Sequence, residues 1–483
     1  MTRWGHALTT HKWLNIEDEP CGRYNGYDCY WTARLLPELL RDAHKLGQWE
    51  WWQDHGAPFQ QAVVAMAGRG VELDKAALTT YKRKVTAELK ATDRAVCDHA
   101  TTEGFTYTDK FPNSRDQVAK LLFTHLGLRG GKVTASGKRP SVDQDALTRA
   151  LRDLRVRDER HRLLLFHLFH RTRLQTILSR YLTLEAEDDG RVRPVVKLAH
   201  VKTMRLAYAN PALQQWPEEA RHIFRARDGC AFVSADYSQL EARLLAYYAN
   251  DTPAIEVFEA GGDPHAANAM DLFNITPEQW RALENHDPYR NYAKSWLYRR
   301  MYGGTAASGD KKLFCPCPRC AAKMPSTLHL TPRDATIAEE RYDARHPAVK
   351  QWQMEVEREV ARTHRFPLLL GGWRYISSPM TRDLQRELKN IPMQSGGARV
   401  MIRAQNTLHR MGAPIVLQHH DSFLLEVPEG EVAGWVSKVR EAMCEPVQVG
   451  KHTISLPVDC KVGGNWGRFH KDENPTGLRK LEG

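Results

Sequence analysis

The stretch AFVSADYSQLE, residues 231–241, decides the fold, because it places Asp236 at the end of an apolar run. The run and the segment after it predict a strand that leads into a helix. A second stretch, IVLQHHDSFLLEV at residues 415–427, places Asp421 between two apolar runs. This second pattern predicts a hairpin with Asp421 at its tip.

The two aspartates together indicate a metal site. Carboxylates held on rigid strands are the ligands that a pair of Mg²⁺ ions needs for in-line phosphoryl transfer. Either aspartate alone would be better interpreted as an ordinary turn residue. Both segments in one chain, with the motifs described below, favour the metal-ligand interpretation.

Length, composition and charge bound the class of protein. The 483 residues allow two to four domains, and 42% hydrophobic with 26% charged residues is typical of a soluble globular chain rather than a disordered one. The formal net charge of +11, with 13 Trp and 16 Tyr, favours an anionic partner, with nucleic acid first. Charge that serves solubility alone is the alternative.

Membrane and redox signals place the expected setting in the cytoplasm. No apolar run approaches membrane-spanning length, and residues Met1 to Trp13 contain no signal-peptide core. Nine cysteines are an odd number, and three of them cluster. A reducing compartment with a metal site fits this better than a disulfide framework.

A strongly basic stretch at residues 149–181 has helical character, and residues 75–98 have helical periodicity. We interpret the basic stretch as a helix pair lying along a phosphate backbone. The alternative is a solvated helix face balanced by nearby acidic residues. Its arginines are Arg149, Arg152, Arg155, Arg157, Arg160, Arg162, Arg171, Arg173 and Arg180.

Several segments resemble the motifs of the family A, polymerase-I-like DNA polymerases, in the order in which that family has them. Their number and spacing make a chance match very improbable, and the likeness runs over nearly the whole chain. The resembling segments are 236–246 (motif A), 290–303 (motif B), 390–394 (the helix before motif C), 418–421 (motif C), 203–206 and 210–214 (between thumb and palm), and 111–123 and 141–147 (thumb).

The resemblance implies an α+β, right-hand fold with a thumb, an antiparallel-sheet palm and helical fingers. It implies a remnant of an exonuclease domain at 1–56, a thumb at 57–200 and the first part of the palm at 201–260. Fingers follow at 261–375, with a cysteine-containing insertion near 308–330, and the second part of the palm at 376–483.

The implied activity is template-directed DNA synthesis from deoxynucleoside triphosphates on a primer-template. One Mg²⁺ activates the primer hydroxyl and the other holds the triphosphate. The resemblance assigns metal binding to Asp236, Asp421 and the Tyr237 carbonyl, and proton donation to pyrophosphate to Lys294. A single-subunit RNA polymerase and a non-catalytic DNA-binding relative are the alternatives.

Nucleotide and DNA contacts follow from the same likeness. Ser238 and Glu241 have the S-x-x-E spacing of a capping box, and in the family a glutamate at this place also blocks a ribose 2′-hydroxyl. Residues spaced by four share one face of a helix, as Arg290, Lys294 and Tyr298 do. The implied substrate contacts are Glu241, His265, Arg290, Lys294, Tyr298 and Tyr302, and the implied DNA contacts are Arg205, Gln214, Arg243, Gln394 and His420.

Two positions depart from the family. Ser422 follows Asp421 where cellular members usually have glutamate, and Arg299 follows Tyr298 where glycine is usual. Tyr24 and Asp28 match only the last proofreading exonuclease motif. We therefore expect no proofreading by this chain, a bacteriophage-type enzyme, and a separately encoded exonuclease or a processivity factor as candidate partners.

A cysteine cluster lies outside the family pattern. Cys315, Cys317 and Cys320 resemble part of a zinc knuckle, and His329 is the nearest fourth ligand. A reduced surface loop is the alternative, because no second cysteine pair lies nearby.

Overall fold

A computed structural model gives the three-dimensional structure of the chain. It describes residues 18–128, 141–143, 146–147, 150–151, 159–198, 200–283, 286–301, 332–376 and 380–481. Helices and antiparallel sheets are both present, so the α+β expectation is confirmed.

The helices carry most of the described chain. Within the described ranges, none of them combines the length and apolar composition needed to cross a membrane. In chain order they are α1 Asp18–Lys45, α2 Trp49–Trp51, α3 Ala57–Arg69, α4 Lys75–Thr102, α5 Arg115–Ala119, α6 Glu159–Thr176, α7 Leu240–Ala249, α8 Thr252–Glu259, α9 Pro264–Phe273, α10 Pro277–Arg281, α11 Asp287–Met301, α12 Pro332–Arg345, α13 Pro347–Thr363, α14 Arg382–Arg410 and α15 Val432–Met443.

The strands form five small antiparallel sheets, of which the largest has the order β14-β13-β6-β10-β9. The strands are β1 Val71–Leu73, β2 Arg191–Val192, β3 Val195–Lys197, β4 Ala207–Ala209, β5 Phe224–Arg225, β6 Cys230–Tyr237, β7 Arg365–Pro367, β8 Trp373–Tyr375, β9 Ile415–His419, β10 Ser422–Pro428, β11 Val447–Val449, β12 His452–Ile454, β13 Val458–Gly463 and β14 Arg479–Lys480.

The five-stranded sheet is the centre of the main core. Strand β6 lies between β10 and β13, and its Phe232, Val233 and Ala235 side chains are fully buried. Strand β10 buries Phe423 and Leu425 in the same core. Because both of its neighbours are antiparallel, the sheet fixes which residues lie side by side at its edge.

Both sequence predictions about this sheet are confirmed. Strand β6 ends at Tyr237 and helix α7 begins at Leu240, which is the predicted strand followed by a helix. Strands β9 and β10 form the predicted hairpin, and Asp421 lies in the turn between them. His420 in that turn has a φ of 54°, the left-handed conformation that a tight two-residue turn requires.

Helix α7 packs closely on the long helix α14. A Cβ atom added at Gly397 would lie 3.1 Å from Leu240 Cδ2, and one at Gly396 would lie 3.2 Å from Leu244 Cδ1. Small residues at these two positions therefore allow the backbones to approach. The contact fixes the depth of α7 beside the edge of the sheet.

Helices α4 and α6 form a separate unit with its own core. Helix α4 covers the predicted helical segment 75–98, and the Asp74 carboxylate caps its start by accepting from the Ala77 N–H. The apolar core between the two helices includes Val96, Leu121 and Leu164.

The basic stretch departs in part from its interpretation. Arg171 on α6 is buried and donates to Asp93 of α4 at 2.6 Å, and Arg173 donates to Glu219 at 2.6 Å. For the buried Arg171 the predicted contact with a phosphate backbone is wrong, because its charge is used within the protein. For Arg173, whose side chain is 50% exposed, the contact stays a prediction. Arg160, Arg162 and Arg180 are exposed, and Arg149, Arg152, Arg155 and Arg157 lie outside the described residues.

Helix α1 has an unusual surface. Its Tyr27, Trp31, Leu35 and Leu39 side chains are all at least half exposed. Such a large apolar surface is uncommon on a helix of a complete domain. The expectation that residues 1–56 are part of another domain stays a prediction.

Candidate active site

The two predicted metal ligands meet at one edge of the central sheet. Asp236 of β6 is paired in register with Ser422 of β10, the residue that follows Asp421. The Tyr237 N–H donates to the Asp421 carbonyl oxygen at 3.0 Å, which joins the end of β6 to the hairpin turn. The sheet therefore places the two aspartates on neighbouring strands, one step apart.

The surroundings of the two carboxyl groups disfavour their ionised forms. Burial and then the charge of Asp421 raise the pKa of Asp236 to about 6, against the weaker attraction of Lys461 and Lys294. Burial also raises the pKa of Asp421, and the nearby Arg205 opposes that rise. Two like charges at one edge are a site that a cation would stabilise.

The residues present fit Mg²⁺ by the chemistry of their donors. Mg²⁺ prefers hard oxygen ligands and is usually held by one or two carboxylates. Asp236 and Asp421 supply such oxygens, and the carbonyl of Tyr237 lies between them in the chain. The Tyr237 ring is turned into the core, where its hydroxyl donates to the Met443 carbonyl oxygen at 2.7 Å.

Glu241 has a different partner from the one that the sequence suggested. Helix α7 begins at Leu240, its N-cap is Gln239 with a φ of 56°, and no side-chain cap is formed. The predicted capping box of Ser238 and Glu241 is therefore wrong, because the left-handed residue delays the start of the helix. The buried Glu241 carboxylate instead accepts from Arg205.

Arg205 connects this glutamate to the metal-binding edge. Its Nη2 atom contacts Glu241 and also lies 3.4 Å from Asp421 Oδ1. The guanidinium therefore supplies positive charge beside the hairpin tip. Its predicted contact with DNA stays a prediction, and any such contact would be made from a side chain already oriented by two carboxylates.

Strand β13 contributes residues that the sequence analysis missed. Asp459 is paired in register with Asp236, and Lys461 follows two residues later on the same face. Lys461 lowers the pKa of Asp236 and Asp459 raises it. Alternation of charged and apolar residues at 458–461 was the available signal, but only the strand order shows which carboxylate lies beside them.

Helix α11 places the predicted nucleotide-binding side chains on one face. Lys294 is exposed, whereas Tyr298 is half-buried and its ring centroid lies 6.0 Å from that of His265. Arg290 Nε donates to Asp263, whose other oxygen caps α9 by accepting from the His265 N–H at 3.0 Å. Arg290 is therefore oriented by an acidic residue that the sequence analysis did not single out.

His265 is buried beside these cations. Burial first, with Lys294 and Arg290 adding to it, lowers the pKa of His265 to about 4. The imidazole is therefore neutral at neutral pH. Neither ring nitrogen has a hydrogen-bond partner within the described ranges. The neutral His265 imidazole can donate a hydrogen bond to a polar ligand that reaches this position.

The hairpin tip carries a second cluster that the sequence did not reveal. Arg221 Nη2 lies 3.1 Å from His419 Nε2, and its guanidinium lies 4.7 Å from the centre of the Trp466 ring. Burial and then Arg221 lower the pKa of His419 to about 3. Burial, Arg205 and Arg221 also lower the pKa of His420.

The remaining predicted DNA contacts are spread around this edge. Gln214 lies in a short 3-10 helix, and its main chain is close enough to the His420 ring to raise the pKa of that ring. Gln394 is half-buried on α14. Arg243 donates to the Ser238 carbonyl oxygen at 3.0 Å and stacks 4.4 Å over the Phe258 ring, so this geometry gives its DNA-binding assignment no support.

Several predicted site residues cannot be compared with the structure. Tyr302, Cys315, Cys317, Cys320 and His329 lie outside the described residues, as does the side chain of Arg299. Their assignments stay predictions. Ser422 is described, and its hydroxyl donates to the His419 carbonyl oxygen at 2.8 Å, which closes the hairpin turn.

Comparison with known families gives a match over most of the chain. The family model described as DNA polymerase family A matches residues 75–468. Similar curated proteins include a thermostable DNA polymerase I of Thermus caldophilus, 28% identical over 472 residues. DNA polymerase I of Geobacillus stearothermophilus is 28% identical over 432 residues.

These alignments cover 92% and 85% of this chain but only 52% and 45% of the two relatives, so the chain spans about half their length. Among solved structures, the POL domain of Pol1 from M. smegmatis, in complex with DNA primer-template and dNTP, has a TM-score of 0.68. That likeness has 23% identity and covers 85% of this chain and 70% of the other. It confirms the right-hand fold.

Proposed function

This chain belongs to DNA polymerase family A, and on that premise we propose that it is a DNA-directed DNA polymerase. Its reaction adds a deoxynucleotide to a primer 3′-hydroxyl and releases pyrophosphate. The observation that carries the proposal is the pair of Asp236 and Asp421 at one edge of the central sheet. Two neighbouring carboxyl groups whose pKa values are both raised, mainly by burial, suit a reaction in which charge builds up on phosphate.

Members of this family use divalent metal ions, and we propose two Mg²⁺ ions held by Asp236, Asp421 and the Tyr237 carbonyl. When bound, such ions activate the attacking hydroxyl and neutralise charge on the leaving group. Asp236 belongs to a five-stranded sheet with a buried core, and Asp421 lies in the tight turn that joins two strands of the same sheet. Rigid support of this kind keeps ligands near the productive geometry.

Helix α11 supplies the residues proposed to handle the triphosphate. Lys294 is exposed on the open side of the helix, where it can donate a proton to the departing pyrophosphate. Arg290 adds positive charge from a position fixed by Asp263. The neutral His265 behind them can donate a hydrogen bond to a phosphate oxygen without adding a buried charge.

Glu241 is proposed to select the sugar. Its carboxylate is buried between Arg205 and the start of α7, next to the metal-binding edge. A ribose 2′-hydroxyl directed at this position would meet a side chain that is already held in place. The proposed substrates are therefore deoxynucleoside triphosphates, and the proposed polymer partner is primer-template DNA.

A zinc ion bound by Cys315, Cys317, Cys320 and His329 is a separate proposal that rests on the sequence alone. Elemental analysis of protein purified without chelators measures it. We expect the bound zinc to fall when Cys317 and Cys320 are replaced by serine. An unchanged zinc content in that variant would contradict the ligand set.

Primer extension by the purified chain tests the polymerase proposal. We expect extension of a primer-template with deoxynucleotides in Mg²⁺, none with the metal chelated, and much weaker extension with ribonucleotides. Asp421→Asn should lose extension, because it removes a ligand charge. Glu429→Gln is the matched control, since it removes an exposed carboxylate at the opposite end of β10.

The outcomes separate the alternatives. Preference for ribonucleotides would indicate an RNA polymerase. Binding of primer-template without any extension, under conditions in which the chain is folded, would indicate a non-catalytic relative. Equal activity of Asp421→Asn and the parent chain would contradict the proposed role of the carboxylate pair.

A further inference from the structure

Three potential metal ligands come together far from the carboxylate edge, where helices α4 and α6 meet. His99 lies in the last turn of α4 and Glu103 is its C-cap residue. His161 lies in the first turn of α6. One potential ligand atom from each residue lies within 4.8 Å of the other two.

Glu103 stands between the two imidazoles. Its Oε1 atom is 3.8 Å from His99 Nε2, and its Oε2 atom is 3.5 Å from His161 Nε2. The two rings are inclined at 62° with centroids 6.1 Å apart. Each imidazole therefore presents a nitrogen to a different oxygen of the same carboxylate.

The cluster is largely shielded from solvent. The exposed fractions of the three side chains are 12% for His99, 17% for Glu103 and 19% for His161. The Glu103 Oε1 and His161 Nε2 atoms are buried and have no hydrogen-bond partner in the part of the chain that the structure describes. A buried polar atom without a partner destabilises the fold. A bound ion would remove that cost.

The spacing is close to that of a zinc site. Zn²⁺ binds imidazole nitrogen and carboxylate oxygen at about 2.0–2.2 Å, so ligand atoms of a tetrahedral site lie roughly 3.5 Å apart. The two nearest separations, 3.5 and 3.8 Å, reach different oxygens of Glu103, and one ligand atom from each residue lies within 4.8 Å of the other two, so binding would draw the three together by up to about 1 Å. Two imidazoles favour Zn²⁺ over Mg²⁺, because Mg²⁺ selects oxygen ligands.

We propose that His99, Glu103 and His161 form a zinc site that joins the end of α4 to the start of α6. Three protein ligands leave the fourth position to water. The ion would connect two helices whose apolar core lies along their length but whose ends are held by polar groups. Its role is structural, and it would be separate from the proposed cysteine site.

Two residues beside the proposed site, His125 and Arg160, contact Glu103. His125 Nε2 lies 2.7 Å from the Glu103 main-chain oxygen, so it supports the residue without reaching its carboxylate. Arg160 Nη1 lies 3.9 Å from Glu103 Oε1, and its side chain is 65% exposed. An exposed arginine can turn towards solvent when a cation binds, at little cost, because surface ion pairs contribute little to stability.

Zinc binding by the full chain tests the proposal. Cys315, Cys317 and Cys320 are first replaced by serine, so that thiolates cannot contribute. We expect one Zn²⁺ per molecule in equilibrium dialysis, retained in excess Mg²⁺. Replacement of the zinc by Co²⁺ should give the visible absorption of a tetrahedral site without a thiolate charge-transfer band.

Single variants then identify the ligands. His161→Asn and Glu103→Gln should each weaken zinc binding by about 100-fold or more, since each removes one of three ligands. His170→Asn is the matched control, because His170 lies on the same helix and pairs with Glu88 at 2.9 Å. It should bind zinc as the parent does.

Glu103 and His161 lie at the ends of different helices. If one of the two variants fails to fold, zinc binding by the other still tests the proposal. Far-UV circular dichroism without metal identifies such a defect. Absence of zinc binding in the cysteine-free parent would overturn the proposal. So would equal zinc affinity in the parent and in both ligand variants.

Discussion

The two ends of strand β10 treat carboxylates in opposite ways. Near its far end, the 2% exposed side chain of Glu426 accepts from Arg191 at 3.0 Å and from Arg227 at 2.9 Å, and from the Arg227 main-chain N–H at 3.1 Å. At the near end, beside the turn that precedes β10, burial raises the pKa of both Asp236 and Asp421, and the charge of Asp421 raises that of Asp236 further. The protein neutralises the charge of Glu426 with two arginines. Around Asp236 and Asp421, positive charge does not fully balance the two carboxylates.

The difference separates a structural carboxylate from a functional one. A buried charge is tolerated when it is paired and hydrogen-bonded, as Glu426 is. A carboxylate pair that retains repulsion lowers the stability of the fold. Perturbed groups of this kind cluster at functional sites. The contrast is sharper because Glu426 and the aspartate pair lie at opposite ends of the same strand.

The largest effect should come from removing a carboxylate at the near end. We expect Asp236→Ala or Asp421→Ala to reduce primer extension by about 1,000-fold or more, because metal ligands contribute several kcal/mol to stabilising transition-state charge. Primer-template binding should be largely retained, since DNA affinity comes mainly from basic residues. Single-turnover extension and a filter-binding assay measure the two quantities. Near-normal extension by either variant would show that the carboxylate pair is not required for the reaction.

Glu426→Ala should show the opposite pattern. It leaves Arg191 buried without its carboxylate, which we expect to lower the free energy of unfolding by about 3–5 kcal/mol. Extension per folded molecule should stay unchanged at a temperature where the variant is folded. Urea denaturation with extension assays measures both, and Glu426→Gln, which keeps the size of the side chain, is the control. Loss of extension in a fully folded variant would show that Glu426 is needed for the reaction as well as for stability.

Tyr298→Phe tests whether the active site extends beyond the two aspartates to the side chain of Tyr298. Burial and the charges of Glu241 and Asp421 raise the pKa of the Tyr298 hydroxyl, which places the ring near this edge. A hydroxyl facing the sugar could replace the missing 3′-hydroxyl of a dideoxynucleotide. Hydrogen bonds to charged groups contribute about 1.5–3 kcal/mol, so the variant should resist dideoxy termination by about tenfold or more.

Termination patterns of the parent and of Tyr298→Phe, at several terminator ratios, measure this resistance. Extension with normal nucleotides is the internal control. Identical patterns would show that Tyr298 is a packing residue and that the site ends at the sheet.

The smallest effect concerns the stability of the metal-free chain. In the folded protein the pKa of Asp236 is about 6, above its ordinary value of about 3.9, so the folded state binds the proton more tightly. Ionised Asp236 therefore lowers stability above pH about 6, and this penalty is lost as the pH falls below about 4. Asp236→Asn should raise the free energy of unfolding by about 1 kcal/mol at neutral pH, a value reduced for the exposure of the carboxylate.

Thermal unfolding in a chelator, at neutral pH and near pH 4, measures that difference. The midpoint of Asp236→Asn should lie above that of the parent only at neutral pH. Glu426→Gln should show no such gain, because its carboxylate is already neutralised. A gain of equal size at both pH values would point to packing rather than charge.

The sequence predicted the elements that end in the two aspartates, because apolar runs and their boundaries are local features. It did not predict Asp459 or Arg221, which reach the site through strand order and packing across distant segments. The capping box failed because one left-handed residue, Gln239, shifts the start of α7. The charge of the buried Arg171 was assigned to a ligand because its partner Asp93 lies on another helix.

The order of the central sheet has a consequence for synthesis on the ribosome. Strand β6 has neighbours only from the C-terminal part of the chain, β10 on one side and β13 on the other. While residues up to about 410 are emerging, the apolar strand with Phe232 and Val233 has two unpaired edges, which favours association with other chains. A chain that stops after α14 should therefore sediment as aggregates at concentrations where the full chain stays monomeric, and a soluble monomer of that shorter chain would show that the helices alone protect the strand.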